Sequence, residues 1–112
     1  MVKAIFFDVD GTLVSFRTHT IPASALKALH TLRAKGIKLF LATGRHRAML
    51  KPVDDLFRFD GYITLSGQYC FADGQVLHSN PMPSEAVEEL VSASGDGLFS
   101  SIFLEGEDIY LN

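Results

Sequence analysis

The chain reads as an α/β protein, a Rossmann-like parallel sheet with crossover helices that is followed, past a Pro-rich linker, by the start of a second α/β unit. Three observations predict this. Residues 2–7, Val-Lys-Ala-Ile-Phe-Phe, form a strand-prone run with apolar residues on both faces, the pattern of a strand covered on two sides by helices. A helical period and a second apolar run, Ile37–Ala42, follow within about forty residues, which makes a βαβ unit expected to be parallel and right-handed. With 112 residues, 47% of them apolar and 21% charged, the chain has material for one small core and is unlike a disordered polymer.

The first strand runs into Asp8-Val9-Asp10-Gly11-Thr12-Leu13. Side chains alternate along an extended chain, so Asp8 and Asp10 point the same way if the extended path continues. Two like charges that close repel unless a cation or a shared proton offsets them. A hard divalent cation is the simplest answer, since Mg²⁺ binds through one or two carboxylates plus substrate phosphate. The plain alternative is a pair of solvated acids at an Asp-Gly turn. Their place straight after a buried-looking strand favours the site.

Residues 11–21 form a polar loop that brings Ser15, Arg17, Thr18, His19 and Thr20 near those acids. Pro22 stands where a helix can start, because its missing N–H costs nothing in a first turn. Ala25, Leu26, Leu29 and Leu32 follow at helical spacing, Lys27, Arg33 and Lys35 face outward, and Gly36 fits the position after the helix. The second strand ends in Thr43-Gly44-Arg45. In a parallel sheet both strands end on one edge, where ligands of such folds bind, so Thr43 is expected beside Asp8 and Asp10. Thr43 offers a hydroxyl and an N–H, Gly44 lets backbone approach a ligand closely, and the N-terminus of a following helix favours an anion.

A helix is expected over about 45–57, interrupted at Pro52, with Met49, Leu50, Val53, Leu56 and Phe57 apolar. Arg47 and Lys51 read as its solvated basic face. Asp60-Gly61 turns the chain into a third strand, Tyr62–Leu65, ending in Ser66-Gly67. Gln68–Phe71 and Gln75–His78 flank Ala72-Asp73-Gly74 as a β-hairpin. Asn80-Pro-Met-Pro83 is an extended linker, and the boundary falls there, dividing the chain into 1–81 and 82–112. Beyond it, Ser84 is a candidate N-cap with Glu85, Glu88 and Glu89 near the helix start. Ala86, Val87, Leu90, Val91 and Ser94 describe that helix's buried face, and Gly95 its stop. Phe99–Leu104 and Asp108–Leu111 are strands joined by Glu105-Gly106-Glu107.

The net charge of −3, a pI near 5.7 and the lack of any Lys/Arg run argue against nucleic acid as a partner. No apolar stretch is long enough to span a bilayer, and the N-terminus shows no signal-peptide pattern. Cys70 is the single cysteine, which excludes an internal disulfide, suits a reducing cytoplasm and, between Tyr69 and Phe71, serves packing. The four histidines lack metal-ligand spacing and read as surface or locally hydrogen-bonded groups.

Asp8-Val-Asp10-Gly11-Thr12-Leu13 together with Ala42-Thr43-Gly44-Arg45 resembles the haloacid dehalogenase (HAD) superfamily. Asp60-Gly-Tyr-Ile and Ser66-Gly67 are similar to its Cof-like branch, in which a large α/β cap follows the third core strand. The resemblance implies a phosphomonoester hydrolase that uses Mg²⁺ and acts through an aspartyl-phosphate on a small phosphorylated metabolite such as a sugar phosphate. It makes Asp8 the nucleophile and Asp10 the general acid/base. Asp8 and the backbone carbonyl of Asp10 would ligate Mg²⁺. Gly11 and Thr12 would keep the loop tight and orient Asp10, while Thr43, Gly44 and Arg45 would meet the phosphoryl group. The branch has Asn-Gly where this chain has Ser66-Gly67. The family's phosphate-binding Lys and its later metal-binding Gly-Asp are not found among the residues given. The expectation is therefore the N-terminal part of a HAD core with the beginning of its cap, and with the remainder of a longer chain or a homo-oligomer partner covering the open edge of the first strand. A phosphomutase of the same superfamily is the alternative, or a non-catalytic metal- and phosphate-binding module if the 112 residues are the whole product.

Overall fold

The computed structural model describes residues 1–111. Parallel pairing organises its first half. Strands β1 (Ala4–Phe7) and β2 (Lys38–Ala42) run parallel with Ile5 opposite Leu39 and Phe7 opposite Leu41, and helix α1 (Ala23–Ala34) crosses between them. Leu29 of α1 is buried, and Ala25, Leu26 and Leu32 pack against the same core, as their spacing requires. Pro22 precedes the helix, and Gly36 closes it at φ +79°, a left-handed conformation that glycine adopts without a Cβ penalty.

Strand β3 (Gly61–Thr64) continues the parallel sheet, while β4 (Tyr69–Ala72) and β5 (Gln75–Ser79) add antiparallel, giving the order β1-β2-β3-β4-β5. The β4–β5 turn has Asp73 and Gly74 both at positive φ, 50° and 72°, which matches the twist of a two-residue hairpin. Between β2 and β3 the structure departs from the single helix expected over 45–57. A 3₁₀ turn, Arg47–Met49, is followed by a short helix α2 (Lys51–Asp54). Pro52 is the cause: inside a continuous helix its ring would meet the carbonyl of Ala48 and one hydrogen bond would be lost, so the helix starts afresh with Pro52 in its first turn.

The core is a single apolar cluster in which Val9, Leu39, Leu41 and Leu50 are fully buried and Phe57 and Phe59 nearly so. Strand β1 reaches it only from one side. Ile5 and Phe7 pack against the cluster, whereas Phe6 is 56% exposed and stacks on Phe40. Being first in the sheet order, β1 pairs with β2 alone, and its other edge has no strand partner among the described residues.

The remaining residues form helix α3 (Ser84–Gly95) and a two-stranded antiparallel sheet of β6 (Ile102–Glu105) and β7 (Asp108–Leu111). Ser84 is already helical and is not the N-cap. Pro83, extended at φ −56° and ψ 139°, holds that position without a side-chain bond. Val91 is half exposed because it flanks the stripe of Ala86, Val87, Leu90 and Ser94 that turns inward. β6 starts at Ile102 rather than Phe99, since the Phe99 carbonyl is taken by the Ser94 hydroxyl at 3.2 Å and stays with the end of the helix. No helix among the described residues is long and apolar enough to cross a membrane.

Candidate active site

Because β1 and β2 are parallel, their C-terminal ends lie on one edge of the sheet, and Phe7 opposite Leu41 brings Asp8 level with Ala42 and next to Thr43. The extended path does not continue through Asp10. β1 stops at Phe7, and the chain folds into a tight loop in which the Val9 carbonyl accepts from the N–H groups of Thr12, Leu13 and Val14 at 3.3, 3.0 and 2.9 Å. Gly11, at φ +80°, permits the reversal, and a Cβ there would also lie only 2.6 Å from the Phe16 ring. Alternation nonetheless survives the turn: Asp8 and Asp10 are exposed and Val9 between them is fully buried, so both carboxylates face away from the core.

The two acids are not equivalent. The Asp8 carboxylate makes no hydrogen bond or ion pair among the described residues. Both oxygens of Asp10 are held by Arg45, whose Nε donates to Oδ2 at 2.9 Å and whose Nη2 donates to Oδ1 at 2.5 Å. The Arg45 hydrogen bonds outweigh burial and keep the Asp10 carboxyl below its ordinary pKa, while Arg45 is held more firmly protonated by the same pair. Part of the positive charge that two adjacent carboxylates demand therefore comes from within the chain. Thr12, expected to orient Asp10, makes no side-chain hydrogen bond among the described residues, so Arg45 is what holds that carboxylate.

Thr43 is buried at the end of β2 and pinned from both sides. Its N–H donates to Ile63 O at 2.9 Å, its carbonyl accepts from Ser66 N–H at 3.1 Å, and its hydroxyl oxygen accepts from Arg45 N–H at 3.1 Å. The hydroxyl proton stays available to donate. Gly44 is exposed, its N–H has no partner among the described residues, and a Cβ there would meet only the Ser66 Oγ at 3.5 Å. The helix N-terminus expected behind Gly44 is not present, because Arg47–Met49 is a three-residue turn whose Ala48 N–H is already capped by His46 Nδ1 at 3.2 Å. What remains is an unpartnered carboxylate, a donor hydroxyl and a free N–H on one sheet edge, suited to an acidic, oxygen-rich ligand. The profile of the haloacid dehalogenase-like hydrolases matches residues 5–112, which cover both loops that bear these groups.

The chain belongs to this family.

Its relatives agree. Over 102 residues it is 31% identical to YkrA of Bacillus subtilis, an alignment that spans 91% of this chain and 39% of YkrA. Over 90 residues it is 40% identical to the HMP-PP phosphatase of Yersinia pestis, covering 79% of this chain and 33% of that protein. The solved structure of BT4131, a sugar phosphatase of HAD subclass IIB, superposes with a TM-score of 0.85 at 42% identity over 98% of this chain and 44% of that one. The chain thus spans less than half the length of each of these proteins.

Several groups around the site of this haloacid dehalogenase-like chain were not legible in its sequence. His46 is the locally hydrogen-bonded kind of histidine and not a surface one, buried with its Nδ1 accepting from the Ala48 N–H; what the sequence did not show is that it closes a 3₁₀ turn. The Met49 carbonyl accepts from Arg45 Nη1 at 3.2 Å. Leu65, Ser66 and Gly67 are all left-handed, at φ 49°, 55° and 95°, and only Gly67 announced it. That turn is tied back to the site, since the Leu65 N–H donates to Arg45 O at 3.1 Å. Arg47, expected on a solvated face, instead pairs with Glu107 at 3.1 Å and lies 4.3 Å from the centroid of the Phe71 ring, bridging the β6–β7 hairpin to the five-stranded sheet. Lys51 pairs with Asp55 one turn on. A cleft of about 730 Å³ lies between the two units, with His46, Leu65, Gln68, Asn80, Met82 and Leu104 in its walls.

Proposed function

We propose that this chain carries the nucleophile and the phosphate contacts of a phosphomonoester hydrolase acting on a small phosphorylated metabolite such as a sugar phosphate. One observation carries the reading. Of two carboxylates one residue apart, Asp8 is exposed and unpartnered, as an attacking group must be, while Asp10 is fixed by two hydrogen bonds, as a proton-transfer group must be. The names of the sugar phosphatase and of the HMP-PP phosphatase support the same chemistry.

The Asp8 oxygen attacks phosphorus as the bond from phosphorus to the ester oxygen breaks. The electron pair leaves with that oxygen, which takes a proton from the protonated form of Asp10, a form that keeps the Arg45 contact through its other oxygen. The aspartyl-phosphate on Asp8 is then opened by water, whose proton passes to the Asp10 carboxylate, and the bond from phosphorus to Asp8 breaks to release phosphate. Thr43 Oγ and the Gly44 N–H donate to the phosphoryl oxygens throughout and strengthen as charge develops there. Among the described residues no group of three metal-ligating side chains exists, and the free Asp8 carboxylate with the Asp10 backbone carbonyl fits the one or two protein ligands that Mg²⁺ takes beside phosphate and water. When bound, Mg²⁺ neutralises charge on the transferring group. Residues 82–112 read as the beginning of a cap, and the cleft between them and the sheet as the side from which the leaving group is met.

The test is hydrolysis of an aryl phosphate by the chain with and without Mg²⁺, beside Asp8→Asn. Inorganic phosphate is expected from the aryl ester, and from a sugar phosphate assayed beside it inorganic phosphate and not an isomer, both falling to the uncatalysed background in Asp8→Asn. Turnover that survives this substitution overturns the assignment of Asp8.

A further inference from the structure

We propose that Arg45 is the positioning residue for Asp10 and not a ligand of the phosphoryl group, an inference that rests on the phosphatase reading above. The motif Thr43-Gly44-Arg45 by itself places three phosphate donors in a row. The geometry separates the third from the other two. The guanidinium of Arg45 faces the Asp10 carboxylate fork to fork, which fixes the rotation of that carboxylate as a single point charge could not. A third N–H of the guanidinium's five is also taken, since Nη1 donates to Met49 O at 3.2 Å. Its backbone is clamped at both ends: the N–H donates to Thr43 Oγ1 at 3.1 Å, and the carbonyl accepts from Leu65 N–H at 3.1 Å.

The arrangement is one-sided. The Arg45 side chain is 24% exposed and the Asp10 side chain 44%, so the arginine backs the carboxylate from the more buried side and leaves the rest of it open to solvent. Arginine keeps its proton and presents only donors, so it cannot itself carry the proton to the leaving group. It acts through Asp10, by holding the oxygens where the ester oxygen will be. The pair favours the Asp10 carboxylate, so what Arg45 supplies to proton transfer is aim, and aim counts most where protonation of the leaving group is hardest.

Two measurements test this. In the first, the Arg45 Nε–H resonance and the Gly44 amide are followed by NMR as inorganic phosphate is added with Mg²⁺. The Gly44 amide should shift and the Arg45 resonance should stay, while Asp10→Asn should displace the Arg45 resonance without any phosphate. An Arg45 resonance that moves with phosphate towards its position in Asp10→Asn overturns the proposal. A Gly44 amide that never moves removes the phosphate site and, with it, the reaction in which Asp10 needs positioning.

In the second, Arg45→Met and Arg45→Lys are assayed on an alkyl phosphate and on a p-nitrophenyl phosphate, whose leaving group needs little protonation. General acid catalysis contributes about 10²–10⁴-fold, so Arg45→Met should lose about 10²-fold in kcat on the alkyl ester and only a few-fold on the aryl ester. Arg45→Lys keeps the charge without the fork and should recover little of the alkyl activity. The double variant with Asp10→Asn should be no slower than Asp10→Asn alone. Equal losses on both esters, a raised KM that lysine restores, or losses that multiply with Asp10→Asn assign Arg45 to the phosphate and overturn the proposal, while the Asp8 reading stands.

Discussion

At the scale of single residues, the site is assembled from groups whose value lies in what they leave free. Gly44 is the clearest case. It is not at positive φ, and a Cβ would find only ordinary contact with Ser66 Oγ at 3.5 Å, so the fold has no need of a glycine there. On the proposed reading the need is on the ligand side, where a methyl group would stand between a phosphoryl oxygen and the N–H. Gly44→Ala is therefore expected to leave stability within about 0.5 kcal/mol of the parent. Phosphate affinity should fall by about tenfold, the loss of roughly one hydrogen bond to a charged group. Urea unfolding and a phosphate titration check the two halves separately, and a variant that loses stability but keeps its affinity contradicts the account. Gly11 behaves in the opposite way, because its φ of +80° and its proximity to Phe16 make it a requirement of the loop. Asp8, Asp10, Thr43 and Gly44 were legible in sequence because strand ends and register are enough to place them. The partner of Asp10 was not, since no pattern of spacing says which of several nearby groups the Arg45 guanidinium will face.

At the scale of elements, local punctuation was readable wherever one residue decides the outcome. Gly36 ends α1, and Asp73-Gly74 turns β4 into β5. Pro52 was read as an interruption, yet its consequence was larger, a 3₁₀ turn and a separate α2 in place of one helix. Ser66 carried no such sign, because its left-handed backbone goes with its own N–H bond to Thr43 O and that of Leu65 to Arg45 O, both remote in sequence. Asp60 shows how such tertiary bonds join elements. Its Oδ2 accepts from Leu39 N–H of β2 at 2.8 Å, and Arg33 of α1 and Lys38 of β2 lie 3.7 and 3.6 Å away. Burial pushes its pKa up, but the Leu39 N–H and the two cations outweigh it and the net shift is downward. A carboxyl depressed in the folded state stabilises the fold above its unfolded value, 3.8, and that contribution is lost as pH falls below it towards the folded value. Asp60→Asn keeps an acceptor for Leu39 and loses the charge, so it should cost about 1 kcal/mol at neutral pH. Urea unfolding at a series of pH values should show this gap closing as pH drops below about 4. A gap that is constant across that range would show that the charge contributes nothing.

At the scale of the whole molecule, the feature that needs a partner is the outer edge of β1. Residues 4–7, Ala-Ile-Phe-Phe, carry no charge, and the strand is hydrogen-bonded on one side only. Natural edge strands are shielded by charge, proline, a bulge or a covering element, and among the described residues this one has none of the four. Phe6 adds exposed aromatic surface beside the edge, stacked on Phe40 at 4.8 Å between centroids. A second copy of the chain supplies a matching edge, since two β1 strands related by a twofold axis can pair antiparallel through their free N–H and C=O groups. A net charge of −3 on 112 residues opposes this only weakly. The 112-residue chain is accordingly expected to self-associate with rising concentration, and Phe6→Lys, which puts a charge on the edge strand at a position already half in water, should weaken that association about tenfold or more. Sedimentation velocity over a wide concentration range, at low and at moderate salt, gives the answer directly. If the parent chain and Phe6→Lys sediment alike at every concentration, the β1 edge does not pair with a second copy, and the apolar surface around Phe6 is tolerated by an isolated chain.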